Sequence, residues 1–313
     1  MLLSRFAENA FWMGRYMERV ESLALFLRVT ENFSSDEDDE VAWSPVLNVF
    51  ADEAAFADKG APITALNVAR FYLVDRGNPN SIAHAATMAK ENARPLRHLI
   101  STESWRQIAL FEESVAALRK RRFSESKLSD ICLSIREACF SHRGVLEATC
   151  YRDEVWLFNR LGAALERADQ VTRLIDVKYF RFDRDGDEQA APPDVAWWNT
   201  LLRSASGYHA FQRRHPFNAD PSDAAQFLLF DANLPLAVRS SVEAAIGQLE
   251  QLQSEFGVRP GIEVRQAADD LLELLQTRPP ELSGRALHTY IDGLQLGLIG
   301  LGTAVSERYF LPA

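Results

Sequence analysis

The sequence of 313 residues lacks most of the patterns that identify a known chemistry. It contains no glycine-rich phosphate loop, no nucleophile–base signature and no cysteine–histidine spacing of a zinc site. A helical di-iron site would show Glu-x-x-His pairs, and there are none. We therefore expect no metal and no cofactor. The sequence alone does not decide whether the protein is an enzyme.

Cysteine is scarce, and the three that occur are Cys132, Cys139 and Cys150. Their spacing of seven and eleven residues places them near one face of a helix. Two helical turns separate neighbours by about 10 Å along the axis, too far for a disulfide. We expect free thiols that pack as small apolar side chains in a reducing cytoplasm.

Long apolar runs and positive charge are also missing. The most apolar stretch, 291–305, is shorter than the roughly 20 residues of a membrane span and contains Asp292 and Gln295. The first residues carry Arg5 and Glu8 and do not resemble a signal peptide. The formal net charge of −10 disfavours an electrostatic nucleic-acid binder. We expect a cytoplasmic protein that binds neither membranes nor nucleic acids.

Strand-like alternation is absent, and the apolar residues recur with helical spacing instead. We predict an all-α fold, a single large helical bundle formed by one domain over 1–313. Residues 1–180 carry the motifs, 181–192 form an acidic linker, and the helices of 193–313 pack on the first part. The predicted helices are 2–33, 43–58, 62–75, 80–99, 102–122, 126–150, 152–180, 193–214, 222–231, 235–256, 260–277 and 284–310.

Two acidic segments read as loops, 34–40 and 183–188. The second resembles the start of an EF-hand, with aspartates at alternate positions. However, its sixth position is Glu188, where a calcium loop needs glycine for its sharp turn. A solvated linker is therefore the favoured interpretation, and a calcium loop is the alternative.

One short pattern occurs twice, 148 positions apart. Both copies read Gly-x-x-x-Glu-Arg, then an apolar residue, then an acid: Gly14 to Glu21 and Gly162 to Asp169. The apolar residues around both copies follow the same steps of three and four. Two related long helices therefore present the same charges at the same angle to their apolar stripes.

The first of these helices has a second, mixed face. On a helical wheel it groups Glu8, Phe11, Trp12, Arg15, Arg19 and Ser22, with Glu18 at the edge. The aromatic residues indicate that this face is covered and its charges are partly desolvated. Two interpretations stay open. The charges are either a network that fixes helix register, or a pocket in which Arg holds a carboxylate or phosphate and Glu holds an amine or metal.

A second polar cluster lies further along the chain. It combines Asn78, Ser81, the 91–94 segment and Glu103. Capping and surface pairing explain each piece alone, yet the cluster is dense in polar groups. Pro95 is expected to kink or interrupt its helix. Trp197 and Trp198 could contribute to a partner contact.

The motifs together resemble the bacterial alpha-E proteins over residues 1 to about 180. The matching segments are Arg5-x-x-Glu8-Asn9-x-x-Trp12-Met13-Gly14-Arg15-Tyr16-x-Glu18-Arg19-x-Glu21, Asn78-Pro79-x-Ser81-Ile82, Glu91-Asn92-Ala93-Arg94, Ser101-x-Glu103-x-Trp105 and Leu161-Gly162-x-x-x-Glu166-Arg167-Ala168-Asp169. The resemblance implies an all-helical, largely uncharacterised protein found alongside ATP-grasp ligases and transglutaminase-like proteins. The chain departs from the family pattern at Ala163, where Arg is usual, and at Pro95, which interrupts a normally continuous helix.

Three hypotheses about function follow. The first is an accessory or ligand-binding partner of an ATP-grasp-type amide ligase, or of a transglutaminase-like protein, in peptide synthesis or modification. The second is an enzyme of the same pathway, with Glu18, Glu91 and Glu166 as acid/base groups or metal ligands. Arg15, Arg19 and Arg167 would then hold an anionic substrate. The third is a purely structural bundle. The oligomeric state is not predicted.

The predicted polar pocket is a single cavity that gathers both repeats and the second cluster. In such a pocket, Arg15 and Arg19 of the first copy would provide most of the anion binding, and the second copy would act mainly as a brace. Its expected residues are Glu8, Arg15, Glu18, Arg19, Asn78, Ser81, Glu91, Asn92, Arg94, Glu103, Glu166, Arg167 and Asp169.

Overall fold

The computed structural model describes residues 2–34, 38–120, 124, 127–179, 194–215, 221–279 and 281–310. Within these ranges the chain forms fourteen α-helices and no β-strand, which confirms the predicted all-α class. The helices are α1 (Ser4–Ser34), α2 (Asp39–Phe50), α3 (Glu53–Ala57), α4 (Ala65–Val74), α5 (Ile82–Ala93), α6 (Thr102–Leu118), α7 (Leu128–Thr149), α8 (Glu154–Lys178), α9 (Asp194–Ser204), α10 (Tyr208–Arg214), α11 (Pro221–Phe230), α12 (Val238–Phe256), α13 (Ile262–Gln276) and α14 (Gly284–Tyr309).

The two repeat helices, α1 and α8, form the centre of the fold. They run parallel, because contacts between them begin near both N-termini and advance together along the two helices. The amide of Leu2 donates to Glu154 Oε1 at 3.2 Å, and the side chain of Asn159 donates to the Ala10 carbonyl at 3.2 Å. Helices α5 and α7 pack against α1, while α12 and α14 pack against α8.

Glycine brings the backbones of α1 and α8 into direct contact. A Cβ added at Gly14 would lie 2.1 Å from the Asn159 carbonyl oxygen, and one at Gly162 would lie 2.1 Å from the Phe11 carbonyl oxygen. A shift of 148 positions converts Gly14 into Gly162 and Phe11 into Asn159, so the two contacts are equivalent in the repeat. The crossing is therefore locally two-fold symmetric. The repeated glycine is needed because no side chain fits between the helices.

Burial on α1 extends beyond its apolar stripe. Since α5, α7 and α8 surround it, residues on several sides of α1 are enclosed, among them Phe11, Met13 and Leu23. The mixed face predicted from the wheel is therefore largely covered, although Glu8 near its start is exposed.

Two predicted helices are interrupted in the structure. The single helix predicted over 43–58 is wrong, because Ala51 adopts φ 53° and separates α2 from α3. The helix predicted over 193–214 is also wrong, because Ser206 adopts φ 59° between α9 and α10. Such positive φ values favour glycine, so a non-glycine residue there gives no sequence signal. The interruption predicted at Pro95 is confirmed, since α5 ends at Ala93.

Trp197 and Trp198 are buried, at 1% and 3% exposure, so the idea that they form a surface contact is wrong. Helix α9, which carries them, packs against α1 and α11. Their enclosure makes them part of the hydrophobic core that links the C-terminal helices to the central pair.

The three cysteines are free, as expected: Cys132 and Cys139 are buried in α7, and Cys150 is half-buried at its end. No helix in the described part of the chain is both long and apolar enough to cross a membrane.

The acidic segment 183–188 and the linker 181–192 lie outside the described residues, as do residues 35–37 of the first acidic segment. The calcium-loop alternative therefore stays untested.

Candidate functional site

The two Glu-Arg dipeptides exchange partners across the α1–α8 crossing. Arg19 donates from Nε to Glu166 Oε1 at 2.6 Å and from Nη2 to Glu166 Oε2 at 3.1 Å. Arg167 donates from Nε to Glu18 Oε1 at 2.6 Å and from Nη2 to Glu18 Oε2 at 2.8 Å. Both glutamates are buried, with 3% exposure for Glu18 and none for Glu166. We call these two bidentate pairs the exchanged pairs. The local two-fold axis relates the two copies of the motif, so the pair formed by Arg19 and Glu166 has an equivalent in the pair formed by Arg167 and Glu18.

Each glutamate also binds a second arginine, and here the symmetry breaks. Arg15 donates from Nε to Glu166 Oε2 at 2.7 Å. Its counterpart in the second copy is Ala163, which cannot donate. Arg143 of α7 donates instead to Glu18 Oε2 at 3.0 Å. Each of the two buried glutamates therefore has two guanidinium partners. For Glu18, the second partner comes from a third helix, α7.

Sequence reasoning missed Arg143 because it lies outside the repeat. One signal was available: the loss of arginine at Ala163 leaves Glu18 with a single cationic partner from the repeat. A buried carboxylate in that state is costly, which predicts a further cation from another helix. Position alone could not show which helix supplies it.

The acids that end the two motifs are satisfied differently. Glu21 accepts from Arg143, which thereby bridges Glu18 and Glu21. Asp169 pairs with Arg173 one turn later at 2.9 Å, and Arg173 also donates to the Val49 carbonyl at 3.2 Å. The last acid of the first copy, Glu21, thus connects α1 to α7. The last acid of the second copy, Asp169, connects α8 to the end of α2 through Arg173.

The arginines keep both motif glutamates ionised. Burial alone would raise the pKa of Glu166, but Arg19 and Arg15 outweigh it and lower that pKa to about 2. For Glu18, burial is opposed by Arg167 and Arg143, and the net pKa is also below its ordinary value. The pKa of Glu21 is raised, first by burial and then by the nearby Glu18 charge.

The second polar cluster has partners of its own. Asn78 caps a turn through the Phe71 carbonyl and the Asn80 amide. Ser81 caps α5 by accepting from the His84 amide. These contacts stabilise the turn before α5 and do not reach the exchanged pairs.

The remaining predicted pocket residues lie near the surface. Glu91 and Arg94 pair with each other at 3.0 Å, with their side chains 46% and 60% exposed. Asn92 donates to the Met88 carbonyl, and Glu103 is exposed in the first turn of α6. The structure thus brings together Arg15, Glu18, Arg19, Glu166, Arg167 and Asp169, whereas Glu8, Asn78, Ser81, Glu91, Asn92, Arg94 and Glu103 are placed elsewhere.

A small notch opens beside Glu18, between α1, α7 and α8, where Ala163 stands in place of arginine. It offers about 30 Å³ of space for water, and Arg143, Arg160 and His142 border it. His142 is buried, and its Nδ1 has no hydrogen-bond partner among the described residues. Burial, followed by the Arg143 charge, lowers the pKa of His142 to about 4. The imidazole is therefore neutral at pH 7.

The best candidate metal ligands lie away from this site, where α8 meets α14. His288 Nδ1 is 2.7 Å from Asp176 Oδ1, and its Nε2 is 3.5 Å from Asp292 Oδ2. Asp176, His288 and Asp292 each offer one ligand atom, and these atoms all lie within 4.8 Å of one another, so the three could hold a metal ion. Asp292 is exposed, and the imidazole that bridges the two carboxylates accounts for the grouping as an ion-pair cluster.

The fold and the exchanged pairs define an all-helical protein whose central parallel helices are locked by two Glu-Arg dipeptides. Residues 2–310 match the model of the Alpha-E family, described as a predicted alpha-helical domain with a conserved ER motif. The chain belongs to the Alpha-E family. The Glu-Arg dipeptides of the repeat, Glu18-Arg19 and Glu166-Arg167, fit that description.

Similar sequences extend beyond the part that this chain matches. Uncharacterized proteins of Mycobacterium bovis and Mycobacterium tuberculosis are 24% identical to it over 322 aligned residues, 95% of this chain. The aligned part is 34% of those proteins, so the chain spans about a third of their length. No solved structure matches the chain.

Proposed function

We propose that this protein is a non-catalytic helical partner of an ATP-grasp-type amide ligase in peptide synthesis or modification. One observation carries the non-catalytic part of the proposal: the ER-motif charges neutralise each other inside the protein. Glu166 accepts from Arg15 and Arg19, and Glu18 accepts from Arg167 and Arg143. The motif then serves to hold α1 and α8 in one register.

Proton transfer by these glutamates is disfavoured on physical grounds. A general acid or base works best when its pKa lies near the working pH. The pKa of Glu166 is about 2, and that of Glu18 is also lowered. Both carboxylates are thus weak bases that stay ionised at neutral pH. The enzymatic alternative would need other groups to move protons.

Substrate binding by the motif arginines is disfavoured as well. Arg19 and Arg167 already form bidentate pairs with buried carboxylates. An anionic substrate would have to displace one of those glutamates. Displacement would leave a buried charge without a partner, which costs about 3–5 kcal/mol. A structural use of the motif avoids that cost.

The identity of the partner rests on the resemblance of the sequence motifs to alpha-E proteins, which occur alongside ATP-grasp ligases. Transglutaminase-like proteins are the alternative partner from the same resemblance. The length of the mycobacterial relatives supports a cooperating role, because the matched region is only 34% of those chains. In those proteins the matched region is joined to further polypeptide.

The test combines the purified full chain with the ATP-grasp ligase of the same organism. We expect a complex on size-exclusion chromatography and a ligase rate, followed by ADP release and product mass, that rises when the chain is present. The chain alone should release no ADP from ATP and an amino-acid mixture. If the chain neither binds the ligase nor changes the ligase rate, the result favours the purely structural alternative. Turnover by the isolated chain that disappears in a folded Glu18→Gln variant would contradict a non-catalytic role.

A further inference from the structure

We propose that the notch between α1, α7 and α8 binds a carboxylate group, either of a small organic acid or of a peptide C-terminus. The site goes beyond the ligase partnership and does not depend on it. Its main residues are Glu18, His142, Arg143, Arg160 and Ala163. Only Glu18 among them belongs to the ER motif.

The notch exists because the repeat is asymmetric. On one side of the crossing, Arg15 reaches Glu166 with its guanidinium. On the other side the equivalent residue is Ala163, whose methyl group leaves that volume open. Arg143 satisfies Glu18 from α7 instead and borders the space without filling it.

The size of the notch suits a carboxylate. About 30 Å³ is available for water-sized occupants, and one water needs about 10–15 Å³ measured in this way. The space therefore holds about two oxygen-sized groups. A planar carboxylate has two oxygens, whereas a phosphate has four in a tetrahedral arrangement. The remainder of the bound molecule would project through the opening.

The charges that border the notch favour an anion. Two guanidiniums, those of Arg143 and Arg160, border it, against one carboxylate, Glu18, which is held by Arg167 and Arg143. Arg143 is already shared between Glu18 and Glu21, so Arg160 is the guanidinium that a bound anion would meet. Arg160 has a partner on its outer side, Glu147, at 3.1 Å. Burial, together with the nearby Arg167 and Arg143 charges, lowers the pKa of Arg160. A carboxylate beside Arg160 would offset that crowding of positive charge and form charge-assisted hydrogen bonds.

A buried polar group also borders the notch without a protein partner. His142 is 6% exposed, and its Nδ1 accepts or donates no hydrogen bond among the described residues. Buried polar atoms are nearly always hydrogen-bonded in folded proteins. The neutral ring of His142 borders the notch, so a ring nitrogen that meets this space and carries the proton can donate to one carboxylate oxygen while Arg160 donates to the other.

The first experiment titrates sodium acetate into the full chain at pH 7, with sodium chloride keeping the ionic strength constant. We expect a saturable rise in melting temperature and a change in the ¹⁵N resonances of the His142 ring. Acetate behaving like chloride would overturn the proposal. So would inorganic phosphate binding more tightly than acetate.

Peptide models identify the source of the carboxylate. N-acetylglycylglycine should bind, and its C-terminal amide should not. Tighter binding of the dipeptide than of acetate indicates a peptide C-terminus, and tighter binding of acetate indicates a small acid. Equal binding of the acid and the amide would overturn the proposal, because the carboxylate would then make no contribution.

Variants locate the binding site. Ala163→Leu fills the notch and should abolish the acetate-dependent shift, while Arg160→Gln should weaken binding about tenfold or more. Arg152→Gln is the matched control, since Arg152 also approaches Glu147, at 3.7 Å, and Trp156 but does not border the notch. Unchanged affinity in a folded Arg160→Gln variant would contradict the site. If Ala163→Leu fails to fold, the His142 resonances of the wild-type chain still decide the matter.

Discussion

Replacing Glu166 with glutamine should strongly destabilise the protein, because it removes the charge that Arg15 and Arg19 share. The ordinary pKa is 4.5, and the pKa in the folded protein is about 2. That difference corresponds to about 3 kcal/mol of stability at neutral pH. Leaving two arginines partly buried without their partner acts in the same direction, so we expect a loss of about 3–5 kcal/mol.

The pH dependence has a definite sign. Since folding lowers the pKa of Glu166, its contribution is fully present above the unfolded value of 4.5 and is lost as the pH falls toward about 2. Urea unfolding followed by circular dichroism, at steps from pH 7 down to the lowest pH at which both proteins fold, measures it. The gap between wild type and Glu166→Gln should narrow below pH 4.5.

The matched control is Glu91→Gln. Glu91 also pairs with an arginine, but both side chains of that pair are about half exposed. Exposed ion pairs contribute about 0–1 kcal/mol. A Glu166→Gln loss as small as that of Glu91→Gln, or a gap that does not depend on pH, would refute the reasoning.

Two further predictions concern packing and burial. Gly14→Ala should destabilise the protein by about 3 kcal/mol in the same unfolding assay, because the new Cβ would lie 2.1 Å from a backbone oxygen. The control is Gly144→Ala in α7, which has nothing nearby and should stabilise the protein by up to about 1 kcal/mol. Equal effects of the two substitutions would contradict the close crossing of α1 and α8. Burial, only partly offset by His288, raises the pKa of Asp176 to about 6 from 3.8, so its favourable contribution is present below pH 3.8 and is lost as the pH rises through 6. The stability of Asp176→Asn relative to wild type should thus rise by up to about 3 kcal/mol between pH 4 and pH 8, and a flat difference would count against a buried, ionised Asp176.

Much of the fold could be predicted from the sequence because the repeat carries both charge and apolar pattern. The matching stripes around Gly14 and Gly162 indicated two equivalent helices, and these helices form the centre of the structure. Their parallel direction could not be predicted. A stripe shows which side of a helix is buried but not which helix covers it or which way that helix runs.

The charged site was predictable only in part, for the same reason. Repetition indicated that Glu18, Arg19, Glu166 and Arg167 are equivalent, yet it could not show that the two dipeptides pair with each other. The contact of Arg143 could not be predicted, because it depends on how a third helix packs against the repeat helices. The sequence groups Glu91 and Arg94 with the motif through the density of polar residues and the resemblance to alpha-E proteins, and neither distinguishes a buried network from a solvated surface pair.

The most direct test of the exchanged pairs is a double-mutant cycle between Glu18 and Arg167. Urea unfolding at pH 7 would be measured for wild type, Glu18→Gln, Arg167→Gln and the double variant. Because the bidentate pair at 2.6 and 2.8 Å is buried, we predict a coupling energy of about 1.5–3 kcal/mol. The symmetry-related cycle between Arg19 and Glu166 should give a similar value. Additive effects in both cycles, with coupling near zero, would contradict the exchange of partners between the two helices.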